Sequence, residues 1–195
     1  MTVAEVMAEI KKDIIFHEES GGGVTFSGGE VFVQDKFLIS LLEECRKNDI
    51  NICIDTTGYT RPEILDKVIP LTDTFLYDIK LMDEEEHIKY CGTGNKVILE
   101  NFERIYSSGV DVRLRFPVIP GITDTEENLK KVAEFAAAHK RAEMDMLPYH
   151  KIGRDKYRRL GMEYHMGGTD QPTEARMEEL ESFFRGCGIV TKTGG

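Results

Sequence analysis

Five short stretches of this chain alternate or cluster apolar residues and end in a polar or charged side chain. They are Val24-Thr25-Phe26-Ser27, Asn51-Ile52-Cys53-Ile54-Asp55-Thr56, Thr74-Phe75-Leu76-Tyr77-Asp78-Ile79-Lys80, Asp111-Val112-Arg113-Leu114-Arg115-Phe116-Pro117 and Ala142 through His150. Each reads as a strand. Between them the period changes to that of a helix. Val3, Val6, Ile10 and Ile14 share one face over residues 2–15, and Phe37, Leu38, Leu41, Leu42 and Cys45 repeat that spacing. Pro62 suits a first helical turn, Thr123 with Glu126 spells a capping box, and Gly109 is placed to end a helix starting near Val97. Strands alternating with helices predict an α/β fold with a parallel sheet and right-handed crossovers.

The ends of these strands fall at Gly28, Asp55, Asp78, Arg115 and His150, at the spacing of about 30 residues that one strand and one crossover helix occupy in a β/α barrel. In such barrels the C-terminal ends of the strands carry the site. Side chains two apart on a strand share a face. Thr25 with Ser27, Cys53 with Asp55, Asp78 with Lys80, and Arg113 with Arg115 therefore point one way, while Val24, Phe26, Ile52, Ile54, Tyr77, Ile79, Val112 and Leu114 point the other. The apolar set must pack on helices, which leaves the polar set facing a lumen suited to a charged ligand. An internal salt-bridge network among Asp55, Asp78, Lys80 and the arginines is the alternative.

At 195 residues the chain suits one domain, 1–195, but falls short of the roughly 250 residues of a closed eight-unit barrel. The expectation is an open, partial barrel of about five parallel strands. Lys and Arg number 25 against 35 Asp and Glu, a net charge of −10, which argues against a nucleic-acid surface. The cluster Lys151, Arg154, Lys156, Arg158 and Arg159 is the exception and reads as solvated surface. No apolar run reaches 18 residues and no signal peptide is apparent, so a soluble cytoplasmic protein is expected. Cys45, Cys53, Cys91 and Cys187 are scattered, which fits reduced, mostly buried thiols and no metal knuckle. Asp83-Glu84-Glu85-Glu86-His87 reads as an exposed helix start, its acids at the positive end.

Ser20-Gly21-Gly22-Gly23-Val24-Thr25-Phe26-Ser27-Gly28-Gly29-Glu30 is the segment richest in chemistry. Glycines admit a ligand close to the backbone, and a neighbouring carboxylate can receive an ammonium group. Taken alone, a glycine-rich run is more often a turn. With Thr2-Val3-Ala4-Glu5-Val6-Met7, Asp78-Ile79-Lys80, Arg115-Phe116-Pro117-Val118-Ile119-Pro120-Gly121 and Leu147-Pro148-Tyr149-His150-Lys151-Ile152-Gly153, it resembles, over nearly the whole chain, the activating enzymes of glycyl radical enzymes. These form part of the radical S-adenosylmethionine superfamily, with the pyruvate formate-lyase-activating type the best known.

The resemblance implies that Gly28, Gly29 and Glu30 hold the methionine amino group of S-adenosylmethionine. It also implies that Asp78, Ile79 and Lys80 form an Asp-x-Lys element, whose lysine meets the methionine carboxylate and whose aspartate helps hold a monovalent cation, with Asp55 and Thr56 joining that cation or the same carboxylate region. His150 would contact the nucleoside, and Arg115 would lie near the partner's substrate loop. The implied reaction uses a reduced [4Fe-4S] cluster and the 5′-deoxyadenosyl radical to place a radical on a glycine of the partner. Pyruvate formate-lyase or a relative would be that partner, with flavodoxin or ferredoxin as electron donor. The family's Cys-x-x-x-Cys-x-x-Cys loop and the strand before it are absent from these 195 residues, so the chain alone is expected to be inactive, with no catalytic residue assigned.

The favoured reading is the C-terminal piece of a longer activase, because a charged lumen is costly to keep without a ligand. The alternative is a natural truncation that binds S-adenosylmethionine or a partner without catalysis, and an aldolase-type barrel with Lys80 as Schiff-base nucleophile is a third. Without a preceding strand, Val24 to Ser27 would be an open edge. Val31-Phe32, where the family carries proline or alanine, would alter only the strand exit.

Overall fold

The computed structural model describes residues 1–140, 142–150, 161 and 168–194. Its strands form an open parallel sheet of six, ordered β1 to β6 as they occur in the chain. They are β1 (Gly23–Phe26), β2 (Asn51–Thr56), β3 (Thr74–Asp78), β4 (Asp111–Val118), β5 (Glu143–Pro148) and β6 (Thr191–Thr193). The sixth strand exceeds the five expected. Its three residues, Thr-Lys-Thr, carry no apolar alternation for sequence to read. The helices are α1 (Val3–Ile10), α2 (Ile14–Ser20), α3 (Asp35–Lys47), α4 (Pro62–Val68), α5 (Glu84–Cys91), α6 (Lys96–Ser108), α7 (Glu126–Ala138) and α8 (Glu174–Gly186). Contacts divide the chain into two compact units. The first is Met1–Asp78 with Gly94–Arg113, and the second is Ile79–Thr93 with Leu114–Gly195.

In the first unit, the helix expected over 2–15 is two helices. Thr2 starts α1 with a reciprocal capping box, its hydroxyl accepting from Glu5 N and its own N donating to Glu5 Oε2. A 3-10 turn at Lys11–Asp13 interrupts it, and α2 runs on to Gly21, whose φ of 64° ends the helix. Val3, Val6, Ile10 and Ile14 are only half-buried, and Met7 is the α1 residue that reaches the core, its Sδ 3.7 Å from Cys45 Sγ on α3. Helix α3 buries Leu38, Leu41, Leu42 and Cys45, as its spacing predicts. Pro62 opens α4, and Gly109 closes α6 at φ 88°.

Register fixes which residues of β1, β2 and β3 look the same way. Thr25 pairs with Cys53 and Cys53 with Thr74, while Ile54 lies between Phe26 and Phe75. Ile52, Ile54, Phe75 and Tyr77 are buried, and each such side chain contributes about 1.5–3 kcal/mol. Cys53, Asp55, Thr74 and Asp78 occupy the alternate, half-buried face. Strand β1 is the outermost and its residues are exposed or half-buried.

In the second unit, β5 and β6 pair in parallel, Met144 with Thr191 and Met146 with Thr193. Phe116 of β4 meets Phe184 of α8 edge to face, ring centroids 5.8 Å apart. The α7 cap is Thr125, whose hydroxyl accepts from Asn128 N; it is not Thr123. Thr123 is buried instead, donating from Oγ1 to Pro117 O at 2.6 Å and accepting from Ile119 N at 2.7 Å, so it staples the turn after β4. Asp83 caps α5 by accepting from Glu85 N and Glu86 N. His87, however, turns inward at 4% exposure, with Nδ1 2.7 Å from Thr93 O.

All four cysteines are free; Cys45 is buried, Cys53 half-buried, and Cys91 and Cys187 exposed, so the thiols are less buried than expected. The basic cluster Lys151 to Arg159 lies outside the described residues. Among the described residues no helix is long and apolar enough to cross a membrane.

Candidate functional site

Chemistry in the first unit gathers where β1, β2 and β3 end. Beyond the last pair of the β1–β2 ladder, Phe26 with Ile54, the next residues are Ser27 and Asp55, and Ser27 Oγ donates to Asp55 Oδ2 at 2.9 Å. Asp55 pairs with Leu76, two residues before Asp78, so both aspartates lie on the half-buried face, and Asp78 Oδ1 is sealed from solvent. Thr56 is displaced from them by one residue and pairs with buried Tyr77 on the opposite face. Its hydroxyl donates to Glu30 Oε1 at 2.6 Å and accepts from Gly58 N at 2.8 Å. Alternation along the strand thus separates Thr56 from the two carboxylates it was expected to join.

Glu30 is held by the exit of β2 and by its own turn. Oε1 accepts from Thr56 Oγ1 and from Phe32 N at 3.3 Å, and Oε2 accepts from Thr57 N at 3.0 Å and from Thr57 Oγ1. A carboxylate has about four lone-pair sites, and four donors occupy them. Thr57 is a site residue that the sequence reading missed, since a second threonine after a strand gives no signal of its own.

Gly28 and Gly29 differ from Gly21, Gly22, Gly23, Gly58 and Gly109 of this unit. A Cβ built on either meets nothing within 4 Å, and neither has positive φ. At Gly58, φ is 73° and a Cβ would stand 1.7 Å from Tyr77 Oη; at Gly23 it would stand 2.0 Å from Asn51 O. The protein's own packing explains Gly23 and Gly58, whereas beside Gly28 and Gly29 there is space. A cavity of about 250 Å³ borders them, walled by Phe26, Val31, Phe37, Leu38 and Leu41.

Behind Gly58 lies a buried latch. Tyr77 Oη donates to Ile98 O at 2.6 Å, and Asn101 Nδ2 donates to Gly58 O at 2.9 Å and Thr60 O at 2.8 Å. Burial pushes the Tyr77 hydroxyl well above the usual tyrosine range, and the nearby Glu30 charge adds to the shift. Asn101 carries a legible signal, an amide on the same helical face as Ile98 and Ile105.

The second unit carries Ile79, Lys80, Arg115 and His150. Ile79 is buried and its N donates to Arg115 O at 2.9 Å. Lys80 and Arg115 are half-buried. The Lys80 carbonyl accepts from Asn128 Nδ2 at 2.9 Å. His150 is exposed just beyond β5, next to Tyr149, whose N donates to Val118 O.

Compared with known proteins, residues 1–136 match the model of the radical SAM superfamily. The chain belongs to the radical SAM superfamily. This superfamily uses S-adenosylmethionine and a [4Fe-4S] cluster. Within it, the chain is 41% identical to the trans-4-hydroxy-L-proline dehydratase activating enzyme of Clostridioides difficile, covering 100% of the chain and 65% of that relative. It is 36% identical to the choline trimethylamine-lyase activating enzyme of Oleidesulfovibrio alaskensis, covering 94% of the chain and 61% of the relative. The crystal structure of a domain of pyruvate-formate lyase-activating enzyme from Bacteroides vulgatus superposes with a TM-score of 0.74 at 31% identity, over 89% of this chain and 99% of that one. The chain therefore spans less than two thirds of the length of these curated relatives. Membership in this superfamily sets aside the reading of an unrelated aldolase-type barrel.

The two family cofactors fare differently against the residues present. Open backbone at Gly28 and Gly29, next along the chain to the Ser27–Asp55 hydrogen bond, fits a zwitterionic amino-acid ligand. The cluster does not fit: three thiolates must converge to leave one iron open, and among the described residues, which include all four cysteines, no three His, Cys, Asp or Glu side chains are grouped to hold a metal ion.

Proposed function

We propose that this chain is the S-adenosylmethionine-binding part of an activating enzyme that places a radical on a glycine of a partner enzyme. The observation that carries the reading is the uncovered Gly28–Gly29 backbone next to the Ser27–Asp55 hydrogen bond. With its lone pairs taken by Thr56, Thr57 and Phe32 N, the Glu30 carboxylate acts by fixing the turn, and the backbone carbonyls of Gly28 and Gly29 accept the methionine ammonium. Lys80 takes the methionine carboxylate, the Asp78-Ile79-Lys80 segment setting its place after β3. Asp55 and Asp78 hold a monovalent cation without Thr56, His150 meets the nucleoside, and Arg115 serves the substrate loop. S-adenosylmethionine supplies one-electron chemistry when bound to a reduced [4Fe-4S] cluster. No step of that chemistry is assigned to this chain, whose cysteines do not form the cluster site.

The partner is a glycyl radical enzyme, with pyruvate formate-lyase one candidate among the kinds of enzyme that the relatives' names include. Flavodoxin or ferredoxin would donate the electron, and the working compartment would be the cytoplasm. A second reading, a binding module without catalysis, is favoured by the same placement of cysteines. The complete gene product separates the two. If its reading frame adds a Cys-x-x-x-Cys-x-x-Cys loop, and the anaerobically reconstituted protein raises a glycyl-radical doublet by electron paramagnetic resonance on a partner, the enzyme reading holds. A complete product without that loop, binding S-adenosylmethionine but raising no doublet, establishes the module.

A further inference from the structure

We propose that Asn128 is a positioning residue for Lys80, tying the segment after β3 to the turn after β4 inside the second unit. The proposal rests on the reading of Lys80 as a ligand for the methionine carboxylate. Asn128 lies in the first turn of α7 and is 6% exposed, a polar side chain on the stripe that also buries Leu129 and Val132. Its amide nitrogen donates to Lys80 O at 2.9 Å and to Thr123 O at 2.8 Å, and its Oδ1 accepts from Met82 N at 2.9 Å. One side chain thus holds a carbonyl and an N–H two residues apart on the Lys80–Met82 segment. The same side chain also holds the carbonyl of Thr123, whose hydroxyl staples Pro117 and Ile119. Residues 80–82 lie between β3 and α5, and Asn128 supplies hydrogen bonds to two of their backbone groups. Upstream, Ile79 is held separately through Arg115 O. A leucine at position 128 would satisfy the helix equally well, so the amide answers a need outside it.

The test uses Asn128→Ala and Asn128→Asp. By hydrogen exchange, Asn128→Ala should expose the Met82 amide while the Ile79 amide keeps its protection. Asn128→Asp keeps the acceptor for Met82 N and should leave that amide protected. Titrated with S-adenosylmethionine, both variants should bind about tenfold more weakly than wild type at an unchanged circular dichroism spectrum, the loss expected of one hydrogen bond to a charged group. Lys80→Ala serves as the control for the ligand reading. Wild-type affinity in Asn128→Ala, with the Met82 amide exposed, overturns the positioning role. If wild type and Lys80→Ala do not differ in binding, the ligand reading has failed, and the NMR signal of reductively methylated Lys80 decides the positioning role instead. A shift in Asn128→Ala upholds it, and an unmoved signal overturns it. Should Asn128→Ala lose protection at Ile79 as well, the unit has unfolded, and Asn128→Asp gives the answer alone.

Discussion

The exits of β1 and β2 both turn on glycine, and for opposite reasons. Gly58 is required by the protein itself. Its φ is left-handed, its missing Cβ leaves room for Tyr77 Oη, and its carbonyl is held by Asn101. Gly28 and Gly29 answer to nothing in the fold, since a methyl group on either would meet no atom within 4 Å. The difference separates a glycine whose missing Cβ the fold uses from one whose missing Cβ it does not use. It also shows a rigid support, the Tyr77–Gly58–Asn101 latch, placed behind the threonines that fix Glu30.

The sharpest way to break that comparison is to add the same methyl group to each turn. Gly58→Ala should cost about 3–5 kcal/mol, combining overpacking against Tyr77 with a left-handed alanine, and denaturant unfolding would read it. Gly29→Ala should stay within about 0.5 kcal/mol of wild type in the same assay. Equal losses would erase the distinction.

Next in size is an alkaline effect centred on the packed side of the same unit. Burial pushes the Cys45 thiol up to about 11 from 9.0, with the Glu44 charge adding and Arg46 opposing, and Tyr77 is also raised. Both folded-state pKa values are raised, so the native state keeps protons that the unfolded chain releases. Stability is therefore full below about pH 9 and falls as pH rises through 11. The Cys45 share is about 2–3 kcal/mol, and Cys45→Ala should flatten it. Asn101→Ala should follow at about 2 kcal/mol, by stranding the carbonyls of Gly58 and Thr60. The smallest effect belongs to Arg104→Ala, which removes the exposed Arg104–Asp66 pair and should change unfolding by less than about 0.5 kcal/mol.

Strands with strong alternation were legible almost to the residue. Asn51–Thr56 forms as written, because Ile52 and Ile54 must share a buried face while Cys53 and Asp55 share the other. Strand β6 was not legible, since Thr191–Thr193 has no apolar period and forms through pairing with β5. Thr123 and Glu126 have the spelling of a capping box, but Thr125 is one residue from the helix and captures Asn128 N. Thr123 is then drawn into the turn after β4, a tertiary demand that local spacing does not encode. At the site, Gly28, Asp55 and Asp78 stood out as strand ends. Thr57 did not, because a hydrogen-bonding role fixed by a distant carboxylate leaves no local mark, whereas Asn101 and Asn128 carry one signal, an amide on an apolar stripe.

Calorimetric titration of S-adenosylmethionine into wild type, Gly29→Ala and Gly58→Ala tests the central claim most directly, with thermal unfolding followed on the same samples. The account predicts binding by wild type and at least about tenfold weaker binding by Gly29→Ala at an unchanged melting temperature, while Gly58→Ala melts earlier. Wild-type affinity in Gly29→Ala, or no binding heat from a fully folded wild-type chain, would contradict it.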